Sequence, residues 1–221
     1  MNSRYRSLME DIAAHCKACG RDPSSVTLLT VSKNHPWEEA APFYTEGCRD
    51  FGENRVQELL EKLSLAPPDV RWHLIGTLQR KKVAKLVGVA ALIHSVDSLD
   101  LAQRISEVSA ERGLVSAVLL QVNTSGEESK HGFSPAELRA AHPALRAMPG
   151  LCLEGLMTMA PLTEDEAVIR ACFADLRRLR DELGLRELSM GMSHDYPIAI
   201  QEGATILRVG SALFMGASLQ S

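Results

Sequence analysis

Lys33 stands at the end of the apolar run Val26-Thr27-Leu28-Leu29-Thr30-Val31-Ser32 and ahead of Asn34-His35-Pro36. The run is β-branched or apolar and reads as a buried strand, while Pro36 followed by Trp37-Glu38-Glu39 marks the start of a helix. Lys33 therefore falls at the carboxyl end of a strand. A primary amine held there in partly desolvated surroundings loses basicity and becomes nucleophilic enough to form a Schiff base with a carbonyl compound. The plain alternative is a solvated lysine in a strand-to-helix loop.

Two later segments favour the reactive amine. Ser189-Met190-Gly191-Met192-Ser193 and Arg208-Val209-Gly210-Ser211-Ala212 each combine Gly and Ser just ahead of a helix. Glycine lets the backbone approach a ligand closely, unpaired amides and the helix dipole favour an anion, and serine adds a hydroxyl donor. Ordinary helix capping by Ser193 or Ser211 is the alternative for each loop alone. An amine together with a phosphate cradle implies a phosphorylated aldehyde, and pyridoxal 5'-phosphate (PLP) is the leading candidate.

The elements that must position these groups alternate along the chain. Strand patterns fall at 27–32, 50–51, 71–74, 91–94, 116–121, 152–156, 187–189 and 205–208, after a first helical pattern at 4–19. Helical patterns lie between them at 38–46, 55–63, 79–87, 99–111, 135–147, 164–182 and 198–202. This alternation predicts a single-domain (β/α)8 TIM barrel spanning 1–221 with an extra N-terminal helix, and a doubly wound open sheet is the second choice. In a barrel, residues after each strand converge on one face, and the segments after strands one, seven and eight adjoin one another. His73 and His94 read as hydrogen-bonded core residues, and Met157 and Met159 as packing.

Composition narrows the function classes. The chain has 221 residues, 45% of them hydrophobic and 24% charged, with a net charge of -4. No apolar run is long enough to span a membrane, and residues 1–8 carry no signal-like stretch, so a cytoplasmic protein is expected. Mild acidity argues against a nucleic-acid partner, leaving Arg80-Lys81-Lys82 as a solvated helix face or a local anion site. The five cysteines are an odd, irregularly spaced set that reads as reduced thiols. Cys16 and Cys19 form a CxxC inside an apparent helix, with no second pair at metal-binding spacing, so no metal is assigned.

Ordered segments along nearly the whole chain resemble the YggS/PROSC family of PLP-binding proteins, also called pyridoxal phosphate homeostasis proteins. They are Val31-Ser32-Lys33, Phe51-Gly52-Glu53-Asn54-Arg55-Val56-Gln57-Glu58, Trp72-His73-Leu74-Ile75-Gly76-Thr77-Leu78-Gln79, His94-Ser95-Val96-Asp97-Ser98, Gln121-Val122-Asn123, Gly155-Leu156-Met157-Thr158-Met159-Ala160-Pro161, Leu188-Ser189-Met190-Gly191-Met192-Ser193 and Arg208-Val209-Gly210-Ser211. The resemblance implies a barrel like the amino-terminal domain of alanine racemase, with PLP as an internal aldimine on Lys33 and its phosphate held by Ser193, Gly210 and Ser211. It further implies that Arg208 faces the pyridine nitrogen and that Asn54 lies beside the cofactor. Asn34-His35-Pro36, His194-Asp195-Tyr196-Pro197 and an extra Met215 depart from the family pattern.

Two functions follow from these residues. One is a non-catalytic, monomeric PLP-binding protein of vitamin B6 and amino-acid homeostasis, with PLP-dependent apoenzymes as possible recipients. The other is a PLP-dependent amino-acid racemase of low activity. A cationic arginine at the pyridine nitrogen weakens the ring as an electron sink, and the racemase it resembles needs a second acid/base, a tyrosine contributed across a dimer. Of the tyrosines, Tyr5 and Tyr44 fall in helical patterns, and Tyr196 follows strand seven.

Overall fold

Eight parallel strands close into a barrel in the computed structural model, which describes residues 3–124 and 131–214. They are β1 (Thr27–Val31), β2 (Asp50–Glu53), β3 (Arg71–Leu74), β4 (Leu92–Val96), β5 (Ser116–Gln121), β6 (Leu151–Met157), β7 (Glu187–Ser189) and β8 (Ile206–Val209). Each pairs with the next, and β1 pairs with β8 from Thr27↔Ile206 to Thr30↔Val209. That last pairing excludes the open sheet. The expected strand positions match within one or two residues, with β2 and β4 running further towards the carboxyl face than the pattern at 50–51 and 91–94 predicts.

Alternation along each strand divides the core in two. Leu28, Phe51, Trp72, Leu74, Ile93, Val118, Leu120, Leu156, Leu188, Leu207 and Val209 point outward and join the large apolar layer under the helices. Leu29, Leu92, Leu119, Met157 and Ile206 have the opposite parity and fill the lumen as a separate, smaller cluster. Residues sharing that inward parity at the strands' carboxyl ends must surface in the barrel mouth.

The covering helices are α1 (Arg4–Ala18), α2 (Trp37–Thr45), α3 (Val56–Leu63), α4 (Val83–Leu86), α5 (Leu99–Glu111), α6 (Pro135–Arg146), α7 (Glu166–Leu183), α8 (Tyr196–Gln201) and α9 (Ser211–Phe214). Their ends carry local signals. Ser98 caps α5 through Leu101 N, Ser134 and Glu137 form a reciprocal capping box on α6, and Gly184 ends α7 in the left-handed region at φ 64°. The helix expected at 79–87 is instead a 3-10 turn, Arg80–Lys82, leading into the single turn of α4. Arg80 pairs there with Asp100, and Lys81 is exposed. Cys16 is buried and Cys19 exposed on and beside α1, and among the described residues no group of three His, Cys, Asp or Glu is placed to hold a metal ion. Also among the described residues, no helix is long and apolar enough to cross a membrane. Met215 lies outside the described residues.

Candidate functional site

The inward parity that fills the lumen also builds a cavity of about 550 Å³ at the carboxyl ends of the strands. Val31 and Lys33 reach it from β1 and the turn after it, Asn54 from the end of β2, Ile75 from the end of β3, Gln121 from β5 and Met157 and Met159 from β6 and beyond. Met192, Ser193 and His194 come from the loop after β7, and Arg208, Gly210 and Ser211 from β8 and its junction with α9. Lys33, Asn54, Ser193, Arg208, Gly210 and Ser211 thus share one cavity although the chain separates them widely.

Lys33 enters through a tight turn. The His35 N–H donates to Ser32 O at 3.1 Å, and Asn34 sits at φ 66°, a conformation asparagine tolerates better than most residues. The departure at Asn34 thereby serves the turn. His35 stacks on Phe214 with ring centroids 4.0 Å apart and bonds Glu39 at 2.7 Å, which ties this turn to α9 and α2. The expected desolvation of Lys33 is not met: its side chain is exposed, because the turn projects it into an open mouth rather than between packed strands.

Beneath that turn lies a buried clamp that motif reading passed over. The Lys62 ammonium donates to Glu53 Oε1 at 2.5 Å and to Ser32 O at 2.7 Å, and the Ser32 hydroxyl donates to the same Glu53 oxygen at 2.6 Å. Burial lifts the Glu53 carboxyl above its ordinary range, while Lys62 and Ser32 pull it back. The clamp joins the ends of β1 and β2, the two points from which Lys33 and Asn54 depart. Its only sequence signal was a glutamate and a lysine nine residues apart on a strand end and the following helix.

Across the mouth, β8 meets β1 closely. A Cβ on Gly210 would fall 2.9 Å from Val31 O, so glycine is what allows Ser211 to begin α9 beside the Lys33 turn. The Ser211 hydroxyl donates to Ser193 Oγ at 2.8 Å, which makes a hydroxyl pair shared by the loops after β7 and β8. Asp195, 1% exposed, accepts from Met192 N at 2.5 Å and holds that loop in shape.

Arg208 forms the floor. It is 5% exposed, and its guanidinium donates to Ser189 Oγ at 2.7 Å and to Thr158 O at 2.8 Å. Burial pulls it down to about 10, against the opposing field of the Asp195 carboxylate. Among the described residues no carboxylate lies within ion-pair distance of it. His73 and His94 lie deeper, hydrogen-bonded in the lumen as expected, outside the cavity wall. Tyr196 is turned away: its hydroxyl bonds Asp11 and its ring meets His15 edge-on, because α8 packs its first turn on α1. Tyr5 packs against Phe43, and the Tyr44 hydroxyl donates to Asp69.

An amine, a hydroxyl pair and a buried guanidinium at one end of a (β/α)8 barrel define a barrel suited to an anionic carbonyl ligand. Residues 10–218 match the family described as alanine racemase, N-terminal domain. The chain belongs to that family and, within it, to the pyridoxal phosphate homeostasis proteins. It is 42% identical over 218 residues to the pyridoxal phosphate homeostasis protein of Aquifex aeolicus, covering 96% of each chain. It is 45% identical over 201 residues to the protein of that name from Pseudomonas aeruginosa, covering 90% of this chain and 87% of the other. Among solved structures it resembles PipY of Synechococcus elongatus with PLP bound, at 41% identity and a TM-score of 0.82, covering 94% of this chain and 99% of that one.

Proposed function

We propose that this chain binds PLP in the barrel mouth, holds it covalently through Lys33, and serves PLP and amino-acid homeostasis in the cytoplasm as a monomeric single-domain carrier without turnover of its own. The observation that carries this reading is Arg208. A guanidinium buried without a carboxylate partner is costly, and a ligand that brings acceptor atoms to it offsets that cost. The rest of the cavity fits the same ligand: Lys33 offers the amine that condenses with an aldehyde as water leaves, and the Ser193–Ser211 hydroxyls with the Gly210 backbone offer the phosphate seat. As the family resemblance implies, Arg208 would then face the pyridine nitrogen and Asn54 would lie beside the ring. PLP when bound supplies an electron-accepting ring. Arg208 disfavours a proton on the ring nitrogen and so lessens that acceptance.

Racemisation needs a second acid/base opposite the lysine, and losing one such group typically costs about a hundred- to ten-thousand-fold in rate. None of the three tyrosines lines the cavity. The names of the relatives support a homeostatic role and the PLP in PipY supports PLP as the ligand, with PLP-dependent apoenzymes the recipients this reading proposes. The test is an absorbance spectrum of purified protein with PLP, followed by borohydride reduction and peptide mass analysis. A visible band fixed onto Lys33, with alanine racemisation at or near background, is expected. Labelling scattered over surface lysines would remove the site, and robust racemisation would replace the carrier with an enzyme.

A further inference from the structure

A line of hydrogen bonds runs through the lumen from the amino-terminal end of the barrel to the cavity floor. Asp50, the first residue of β2, accepts from Arg71 Nε at 2.6 Å and faces His73 Nε2 at 3.1 Å. His73 Nδ1 meets His94 Nε2 at 2.9 Å, and His94 Nδ1 meets Ser189 Oγ at 2.8 Å across the barrel. Ser189 Oγ then accepts from Arg208. His94 and Ser189 are fully or nearly fully buried, and His73 is 6% exposed.

The protons in this line can be ordered from its ends. Arg208 only donates, so Ser189 accepts from it. Among the described residues the acceptor within reach of the Ser189 hydroxyl proton is His94 Nδ1. His94 must then carry its proton on Nε2 and give it to His73 Nδ1, and His73 must carry its own on Nε2, facing the Asp50 carboxylate. Burial, with the positive charge of Arg208 adding to it, holds the His94 imidazole neutral far below the usual histidine range. The charged groups along the line are Arg71 and Asp50 at one end and Arg208 with Asp195 at the other.

We propose that Ser189, His94, His73 and Asp50 are positioning residues that act through Arg208, a single proton-ordered relay that turns the guanidinium towards the ring nitrogen of PLP and sustains its charge from the far end of the barrel. The relay presupposes PLP in the cavity as proposed above. Its terminal carboxylate draws every proton in the line away from Arg208, which leaves the Ser189 oxygen a stronger acceptor for the guanidinium. Its far end meets solvent at Arg71, whose side chain is 58% exposed.

The experiment is ¹⁵N-histidine NMR on PLP-loaded and PLP-free full-length protein, with His73→Gln and His94→Gln assigning the signals, paired with the visible spectrum and PLP affinity of Asp50→Asn and Ser189→Ala. Both buried rings are expected as neutral Nε2–H tautomers. Asp50→Asn, which touches nothing in the cavity, is expected to shift the visible band and weaken PLP binding about tenfold, the order seen for outer partners of a bound group. Ser189→Ala should do the same, and Asp50→Glu should restore part of the parental spectrum. An Nδ1–H tautomer on either ring, or parental spectra and affinity in folded Asp50→Asn and Ser189→Ala, overturns the relay. Should the parent not load PLP on Lys33, the proposed function fails and the ring-facing role fails with it, while the tautomers still report whether the proton order exists.

Discussion

Lys62 puts a charge where side chains of its type are seldom found, in order to hold two strand ends. Its ammonium bonds Glu53 Oε1 and the Ser32 carbonyl together, so removing it leaves a buried carboxylate without its cation. Breaking one partner of such a pair costs about 3–5 kcal/mol. Lys62→Met keeps the length of the side chain and should lose close to that amount in urea denaturation at neutral pH. The loss should shrink as pH falls. A carboxyl whose folded pKa is raised binds its proton more tightly in the folded state, so its contribution is favourable at low pH and is lost as pH rises past its unfolded value. PLP affinity should fall as well, because the turn bearing Lys33 hangs from Ser32. Equal denaturation midpoints for parent and Lys62→Met would show that the clamp is ornamental. Lys33 itself was legible because a lysine after a β-branched run has a stated place in a barrel. Lys62 was not, since a lysine on an amphipathic helix reads as solvated until its partner is seen.

Elements explain why some of the site could be read and some could not. β1 and β5 were readable because they are apolar or β-branched runs, and α5 because Ser98 precedes an unbroken 3.6-residue pattern ending at Glu111. The strip 79–87 misled, since its apolar spacing suits a helix while Gly88, at φ 84°, ends it after one turn. The loops after β7 and β8 were legible through their glycines. Gly191 is the sharper case: it sits at φ 93°, and a Cβ would lie 2.6 Å from Ala199 Cβ and 2.9 Å from Leu207 Cδ2. Gly191→Ala combines a left-handed alanine with overpacking, together about 2–4 kcal/mol, and it moves the segment carrying Met192 and Ser193. Thermal denaturation should register the first effect and PLP titration the second. Unchanged PLP affinity in a destabilised variant would mean that Ser193 does not help hold the phosphate. The relay in the lumen was invisible for a different reason. Its contacts span 19 to 95 residues, from Ser189–Arg208 to His94–Ser189, and exist only once the barrel has closed.

At the scale of the whole molecule, the same lumen sets how the barrel responds to acid. His94 stays neutral in the folded state, while in the unfolded chain a histidine protonates near pH 6.5. A group with a depressed folded pKa contributes stability above its unfolded value and loses it as pH falls, at up to about 1.4 kcal/mol per pH unit for one proton. Asp50 adds a second stage. His73 and Arg71 overcome its burial and hold it down to about 2, against an ordinary value of 3.8, so its stabilising contribution of about 2 kcal/mol is present above pH 4 and disappears between about 4 and 2. Stability should therefore begin to fall below about pH 6.5, before surface carboxylates titrate, and fall again below 4. His94→Gln should flatten the first limb and leave the second, whereas Asp50→Asn should remove most of the second. Urea midpoints measured from pH 7.5 to 3 would distinguish these limbs. A parental curve flat down to pH 4.5 would mean that protonated His94 is accommodated in the lumen, and the line of bonds from Asp50 to Arg208 could then hold an extra proton rather than a fixed order of them.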